Sequence, residues 1–155
     1  MTGVQTCALP ISGAGPERAR LEAQAAARGV SERVRLLGPV PHADLPAYYA
    51  AADAMVLASS REGWANVLLE SMACGTPVVA SDIPGNPEVV QERDAGLIVR
   101  ANTAEGLAEA ARDLFANPPD RAATRRYAER FSWDATTEGQ LALFRRITGL
   151  DAATG

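Results

Sequence analysis

Short apolar runs recur along the chain, each bounded by polar or turn-forming residues: Val34-Arg-Leu-Leu37, Ala54-Met-Val-Leu-Ala58, Pro77-Val-Val-Ala80 and Leu97-Ile-Val99. Runs this short between turn signals read as buried strands of an α/β sheet. The stretches between them have helical composition. Residues 16–29 carry Arg, Leu, Glu and Ala with few breakers and stop at Gly29, and 45–52, 67–73 and 88–93 fit shorter helices. Asn66 is placed to cap the 67–73 helix and Gly75 to end it. Beyond the last strand, apolar residues recur at helical spacing over 103–115, with Thr103 as cap and Pro118-Pro119 as stop, and 120–129 and 133–147 complete the set. The alternation predicts an α/β fold with a Rossmann-like, doubly wound parallel sheet.

Composition narrows the classes. A chain of 155 residues with 47% hydrophobic content has the size of one domain and the material for a core. With 15 basic residues against 19 acidic, the net charge of -4 argues against nucleic acid as a partner. Every basic residue is Arg. No apolar run approaches the ~20 residues that span a bilayer. Arg125-Arg126 and Arg145-Arg146 read as solvated helix faces, with peripheral contact to anionic lipid at a membrane as the alternative. Of the two cysteines, Cys7 and Cys74, the second reads as a buried free thiol suited to a reducing cytosol, and their spacing matches no zinc pattern. His42, the single histidine, lies in a Pro-rich loop and reads as a surface residue.

The candidate chemistry gathers in one run, Arg61-Glu-Gly-Trp-Ala-Asn-Val-Leu-Leu-Glu70-Ser-Met-Ala-Cys-Gly-Thr-Pro-Val-Val-Ala80. Glu62 sits on the loop leaving the carboxyl end of the 54–58 strand, and Glu70 on the helix that this loop opens. Ligands of open α/β sheets bind at that edge. Backbone N–H groups over Gly63, Trp64, Ala65, Asn66 and Val67 start the helix, where partial positive charge favours an anion. Gly13-Ala-Gly15 suggests a dinucleotide fingerprint, but Arg18 stands where its third glycine belongs, so an NAD-binding domain is disfavoured.

Two glutamates flanking a Gly-containing turn, followed by Met72-Ala-Cys-Gly-Thr-Pro-Val-Val79, resemble the signature of family 4 of the retaining GT-B glycosyltransferases. Further matches stand in the right order: Gly13-Ala-Gly-Pro-Glu-Arg18, Val34-Arg-Leu-Leu-Gly38, Leu45-Pro-Ala-Tyr-Tyr49, Ala52-Asp53, Ser81-Asp-Ile-Pro-Gly-Asn-Pro-Glu88 and Gly96-Leu-Ile-Val99. Together they cover residues 13–147 of what resembles the carboxy-terminal, donor-binding half of that fold.

The resemblance implies a nucleoside diphosphate sugar as donor substrate, no further cofactor and no metal. It implies that Glu70 accepts hydrogen bonds from both ribose hydroxyls, as two carboxylate oxygens can. It makes Glu62 the catalytic residue, facing the transferred sugar. A double-displacement pair needs carboxyl groups about 5 Å apart; with Glu70 committed to the ribose, front-face displacement is favoured. Gly63 to Val67 would hold the diphosphate, Gly15 would pass close to the donor, and Arg35 and Leu36 would contact the base. Trp64 reads as a determinant of sugar or acceptor preference or as a packing residue, and Tyr48 and Tyr49 as core residues, with flanking of the base as the alternative. The acceptor, a glycan, lipid or small molecule, would bind mainly to an amino-terminal domain outside this chain, and the family's phosphate-binding Lys and Arg would lie near the start of the carboxy-terminal domain, upstream of the Gly13 region. The expectation is a fragment of a cytoplasmic enzyme, with the inner face of the membrane as an alternative place of work and a nucleotide-sugar-binding module lacking turnover as the alternative function.

Residues 1–12 break the pattern, being turn-rich with Pro10 where the resemblance places an apolar strand. Residues 1–11 match, residue for residue, the translation of a short-read sequencing adapter opened by a GTG start. The expected division is therefore a non-native segment 1–12, an incomplete domain 13–148 and a disordered tail 149–155. A sheet without its first strand would be marginally stable. Genomic DNA of the source organism is expected to encode a different sequence upstream of Gly13; an in-frame match to residues 1–12 would overturn the adapter reading.

Overall fold

The computed structural model describes residues 9–149, which fall into two compact units divided between Leu45 and Pro46. Cys7 and the tail beyond Gly149 lie outside the described residues. All strands pair in parallel, in two ladders.

The first unit is one strand-helix-strand crossover. Strand β1 (Leu9–Ser12) pairs with β2 (Val34–Gly38), Leu9 opposite Val34 and Ile11 opposite Leu36, with a bulge before Ser12. Helix α1 (Arg18–Ala27) connects them. It ends as its composition predicts: Gly29 takes φ +66° and its N–H bonds to the Ala26 carbonyl, while Val30 bonds back to Ala25. Leu9-Pro-Ile-Ser12, read from the sequence as a break in the pattern, form a strand against β2, and Pro10 is tolerated because a two-stranded ladder is all edge. Only Ala25 is buried among the described residues of this unit.

The second unit holds the core. Strands β3 (Met55–Leu57), β4 (Val78–Ser81) and β5 (Gly96–Val99) lie side by side in chain order. Helix α2 (Leu45–Ala51) precedes them, α3 (Asn66–Ala73) crosses from β3 to β4, and α4 (Asn86–Val89) from β4 to β5. Helices α5 (Ala104–Ala116), α6 (Arg121–Ala128) and α7 (Trp133–Thr148) follow. The central strand β4 is buried along its whole length, and its alternation sorts two cores. Val78 and Ala80 pack with Leu68, Met72, Val89 and Tyr127; Val79 faces Val99 and Leu114. Full burial of a side chain such as Leu68 or Leu114 contributes about 1.5–3 kcal/mol.

The expected stop Gly75 and cap Thr103 act at their helix ends, and Asp120, read as the first residue of its helix, caps α6 instead. Gly75, at φ +77°, closes α3 with paired bonds from Gly75 N to Met72 O and Thr76 N to Ser71 O. Thr103 accepts from Gly106 N at 3.1 Å and Asp120 from Ala123 N at 2.9 Å, capping α5 and α6. Other expectations are corrected. Asn66 is the first residue of α3, and Ala65 takes the cap position with no side-chain bond. The helix expected over 88–93 forms earlier and shorter, at Asn86–Val89, because Gly85 at φ +94° starts it. Tyr48 is exposed, not core, and Cys74 is a free thiol that is only half-buried.

Thr76 is completely buried and knots the unit. Its hydroxyl donates to the Tyr49 carbonyl at 2.6 Å and accepts from the Arg121 guanidinium at 2.9 Å. Arg121 also donates to the carbonyls of Ala50 and Ala52, both at 2.8 Å, and of Cys74 at 3.4 Å. A cation on the last carbonyls of two helices satisfies both the orphan acceptors and the dipole.

Gly96 is the tightest backbone position: at φ +135°, a Cβ there would lie 1.9 Å from the Val78 carbonyl oxygen. Gly96→Ala is expected to destabilise the chain by about 3 kcal/mol or more, whereas Gly139→Ala, in open space on α7, should be neutral or stabilising by about 0.5–1 kcal/mol. Thermal melts of both variants check this; equal melting temperatures would refute the close approach.

Candidate functional site

The carboxyl ends of β3, β4 and β5 meet at one atom, the carbonyl oxygen of Ser59. It accepts from the Ser81 hydroxyl at 2.6 Å and from Asn102 Nδ2 at 3.2 Å. Ser81 ends β4, and Asn102 follows β5. The Ser59 hydroxyl points the other way and donates to Glu62 Oε1 at 2.7 Å, short as a bond to a carboxylate should be. Glu62 is half-buried, on the loop between β3 and α3.

The far side of that loop is built by glycine. A Cβ on Gly85 would lie 2.4 Å from the Gly63 carbonyl oxygen, so the 82–86 turn lies directly against the Glu62 loop. Asn86 is fully buried beside it, donating from Nδ2 to the Ser81 carbonyl at 2.9 Å. Its Oδ1 has no hydrogen-bond partner among the described residues. Gly63 itself faces open space, Trp64 is 46% exposed, and Ala65 is buried beneath them.

The N–H groups of Gly63, Trp64, Ala65 and Val67 make no hydrogen bond among the described residues, whereas Asn66 N turns back to the Trp64 carbonyl at 3.1 Å. Four donors at one helix start can receive an anion. One turn further along α3, Glu70 is half-buried and accepts from the Tyr49 hydroxyl at 3.3 Å. Burial first, and then the neighbouring Glu70 carboxylate and Cys74, push the Tyr49 hydroxyl up to about 12. Among the described residues, no group of three or more His, Cys, Asp or Glu side chains is placed to hold a metal ion.

The second unit thus brings together Glu62, Glu70 and the run from Gly63 to Val67. Gly15, Arg35 and Leu36 belong to the first unit: Gly15 in open space before α1, Arg35 exposed and Leu36 half-buried on β2. Sequence reading missed Ser59, Ser81 and Asn102. The available signal was their common position, each within three residues of the carboxyl end of a strand. His42 is exposed on a short 3-10 turn, and Arg125 pairs with Glu129 at 3.1 Å on α6.

Comparison with known proteins bears on this arrangement. The family described as glycosyl transferases group 1 matches residues 4–131. The D-inositol 3-phosphate glycosyltransferase of Corynebacterium urealyticum is 37% identical over 149 residues, covering 93% of this chain and 35% of that protein. The chain spans about a third of the length of the curated relatives it matches. Among solved structures, sucrose-phosphate synthase from Thermosynechococcus elongatus superposes with a TM-score of 0.76 at 30% identity, covering 92% of this chain and 39% of that one. Anabaena HepE, solved in complex with UDP, superposes with a TM-score of 0.75 at 24% identity, covering 88% and 40%.

The raised Tyr49 value predicts a pH dependence. An unfolded tyrosine ionises near pH 10, so between about 10 and 12 the folded chain holds a proton that the unfolded chain has released, and stability falls as pH rises. The contribution is complete below pH 10 and lost through about pH 12. Urea unfolding across that window is expected to show a steeper loss in the wild type than in Tyr49→Phe, by on the order of 1 kcal/mol after solvent screening. Parallel curves would remove the Tyr49–Glu70 contact.

Proposed function

The chain belongs to the glycosyl transferases group 1 family, and from that premise we propose that it binds the donor in an enzyme transferring a sugar from a nucleoside diphosphate sugar to a hydroxyl acceptor. One observation carries the reading: Glu62 and Glu70 flank a helix start at which the N–H groups of Gly63, Trp64, Ala65 and Val67 are unengaged among the described residues. The spacing suits the three parts of such a donor. Glu70 would accept from the ribose hydroxyls, the N–H groups of Gly63, Trp64, Ala65 and Val67 would hold the diphosphate, and Glu62 would accept from hydroxyls of the sugar.

The family 4 resemblance supports retention of configuration by front-face displacement. The bond between the anomeric carbon and the diphosphate oxygen breaks while the acceptor oxygen attacks from the same face, and the acceptor proton passes to the departing diphosphate. N–H groups aimed at that diphosphate would stabilise its developing charge without reorganising. Glu62 orients the sugar. The family resemblance assigns donor contact to Gly15 and base contact to Arg35 and Leu36 on the first unit, and the acceptor would bind mainly to parts of the parent protein beyond this chain. A free half-buried thiol and a nucleotide substrate fit a cytoplasmic setting. No helix of the described residues is long and apolar enough to cross a membrane.

Because the chain spans about a third of its relatives, a second reading applies to it taken alone: donor binding without turnover. Calorimetry tests the shared premise. The 155-residue chain is expected to bind UDP-glucose or GDP-mannose and not NAD. Glu70→Ala should weaken that binding roughly tenfold to a hundredfold, the loss of hydrogen bonds to a charged acceptor. NAD binding in preference to both sugars, or an unchanged Glu70→Ala affinity, would overturn it.

A further inference from the structure

We infer that Ser59 is a positioning residue for sugar recognition: it holds one oxygen of Glu62 through its hydroxyl while its carbonyl is fixed to the ends of the two neighbouring strands. The inference rests on the reading of Glu62 as the sugar-facing carboxylate. Glu62 lies on a loop rich in small residues, and nothing in its backbone fixes the direction of its carboxylate. The Ser59 hydroxyl does, at 2.7 Å from Oε1. Oε2 makes no hydrogen bond among the described residues, so one oxygen is occupied by the protein and the other is presented with its lone pairs outward. A carboxylate so divided accepts from a sugar hydroxyl with a single orientation instead of swinging between two.

The anchor behind the hydroxyl makes this more than a local contact. Ser59 lies two residues beyond β3, where an unconstrained loop would move with its flanking residues. Its carbonyl is fastened by Ser81 at 2.6 Å, itself fully buried at the end of β4, and by Asn102 at 3.2 Å beyond β5. Ser81 is held in turn by Asn86 at 2.9 Å. The direction of one carboxylate is therefore referred to three strands of the sheet. Removing the hydroxyl while keeping the carbonyl leaves those anchors in place, so Ser59→Ala separates carboxylate orientation from loop position.

The diphosphate donors and Glu62 lie on the same loop but depend on Ser59 differently, which supplies a readout that a general structural defect would not mimic. The quantity is the ratio of dissociation constants of the 155-residue chain for UDP and UDP-glucose, repeated with GDP and GDP-mannose, in the wild type, Ser59→Ala, Ser59→Thr and Glu62→Gln. The expected result is that Ser59→Ala lowers the ratio roughly fivefold, the worth of one hydrogen bond, towards the Glu62→Gln value. Affinity for the bare diphosphate stays within twofold, and Ser59→Thr, which keeps the hydroxyl, restores the ratio. A Ser59→Ala ratio equal to wild type, a ratio Ser59→Thr fails to restore, or an equal loss for diphosphate and sugar would overturn the role of Ser59 while Glu62→Gln still shows its own effect. A ratio insensitive to Glu62→Gln, a wild-type ratio of one, or no binding of either series would overturn the reading of Glu62 and the inference with it.

Discussion

Arg121 and the buried hydroxyl of Thr76 form the knot from which the Glu70 side of the site hangs. Without them, the final turns of α2 and α3 would end in carbonyls facing one another with no donor between. With them, four carbonyls and one hydroxyl share two groups, and the backbone of Tyr49 is drawn to within 2.6 Å of Thr76. Tyr49 is then where its phenol can reach Glu70. A carboxylate on a helix surface would otherwise sweep a wide arc; here its position is set by a threonine six residues along the chain and an arginine on another helix.

The Glu62 side is secured by a different device, the carbonyl of Ser59. The two anchors share a logic: each uses a main-chain oxygen that the sheet or helix leaves without a partner, and each brings to it a side chain from a distant part of the chain. That economy explains why the site sits at the strand ends. Strand and helix termini are where unpaired backbone groups collect, and they serve both to tie the scaffold and to receive a ligand. The buried β4 strand supplies rigidity to both sides, since Thr76 lies just before it and Ser81 ends it.

Much of this was legible in the sequence where the cause is local. The apolar runs become β2 to β5 within a residue or two, and Thr103, Gly29 and Gly75 act where their chemistry places them. The glutamates were marked by spacing and by resemblance. What escaped has its cause in distant partners. Tyr48 and Tyr49 are the same residue in sequence terms, yet one is exposed and the other meets Glu70; only the position of α3 distinguishes them. Arg121 reads as one of 15 arginines until the helix ends it serves are known. Leu9-Pro-Ile-Ser12 carry a breaker that would deny them a strand, and pairing with β2 overrides it. Asn66 lost its cap position because the loop before it turns one residue earlier.

The packing of Gly85 against Gly63 reaches beyond mechanics. The carbonyl of one loop occupies the volume that a side chain on the other would need, and the two positions belong to separate segments on either side of β4. Segments joined in this way cannot be exchanged singly between related proteins: a chimera whose junction falls between them risks uniting halves shaped for different counterparts. The stretch from Glu62 to Asn86 is thus a single unit of inheritance, in which change is absorbed most readily at residues such as Trp64 that face outward and leave the fit between the glycines untouched.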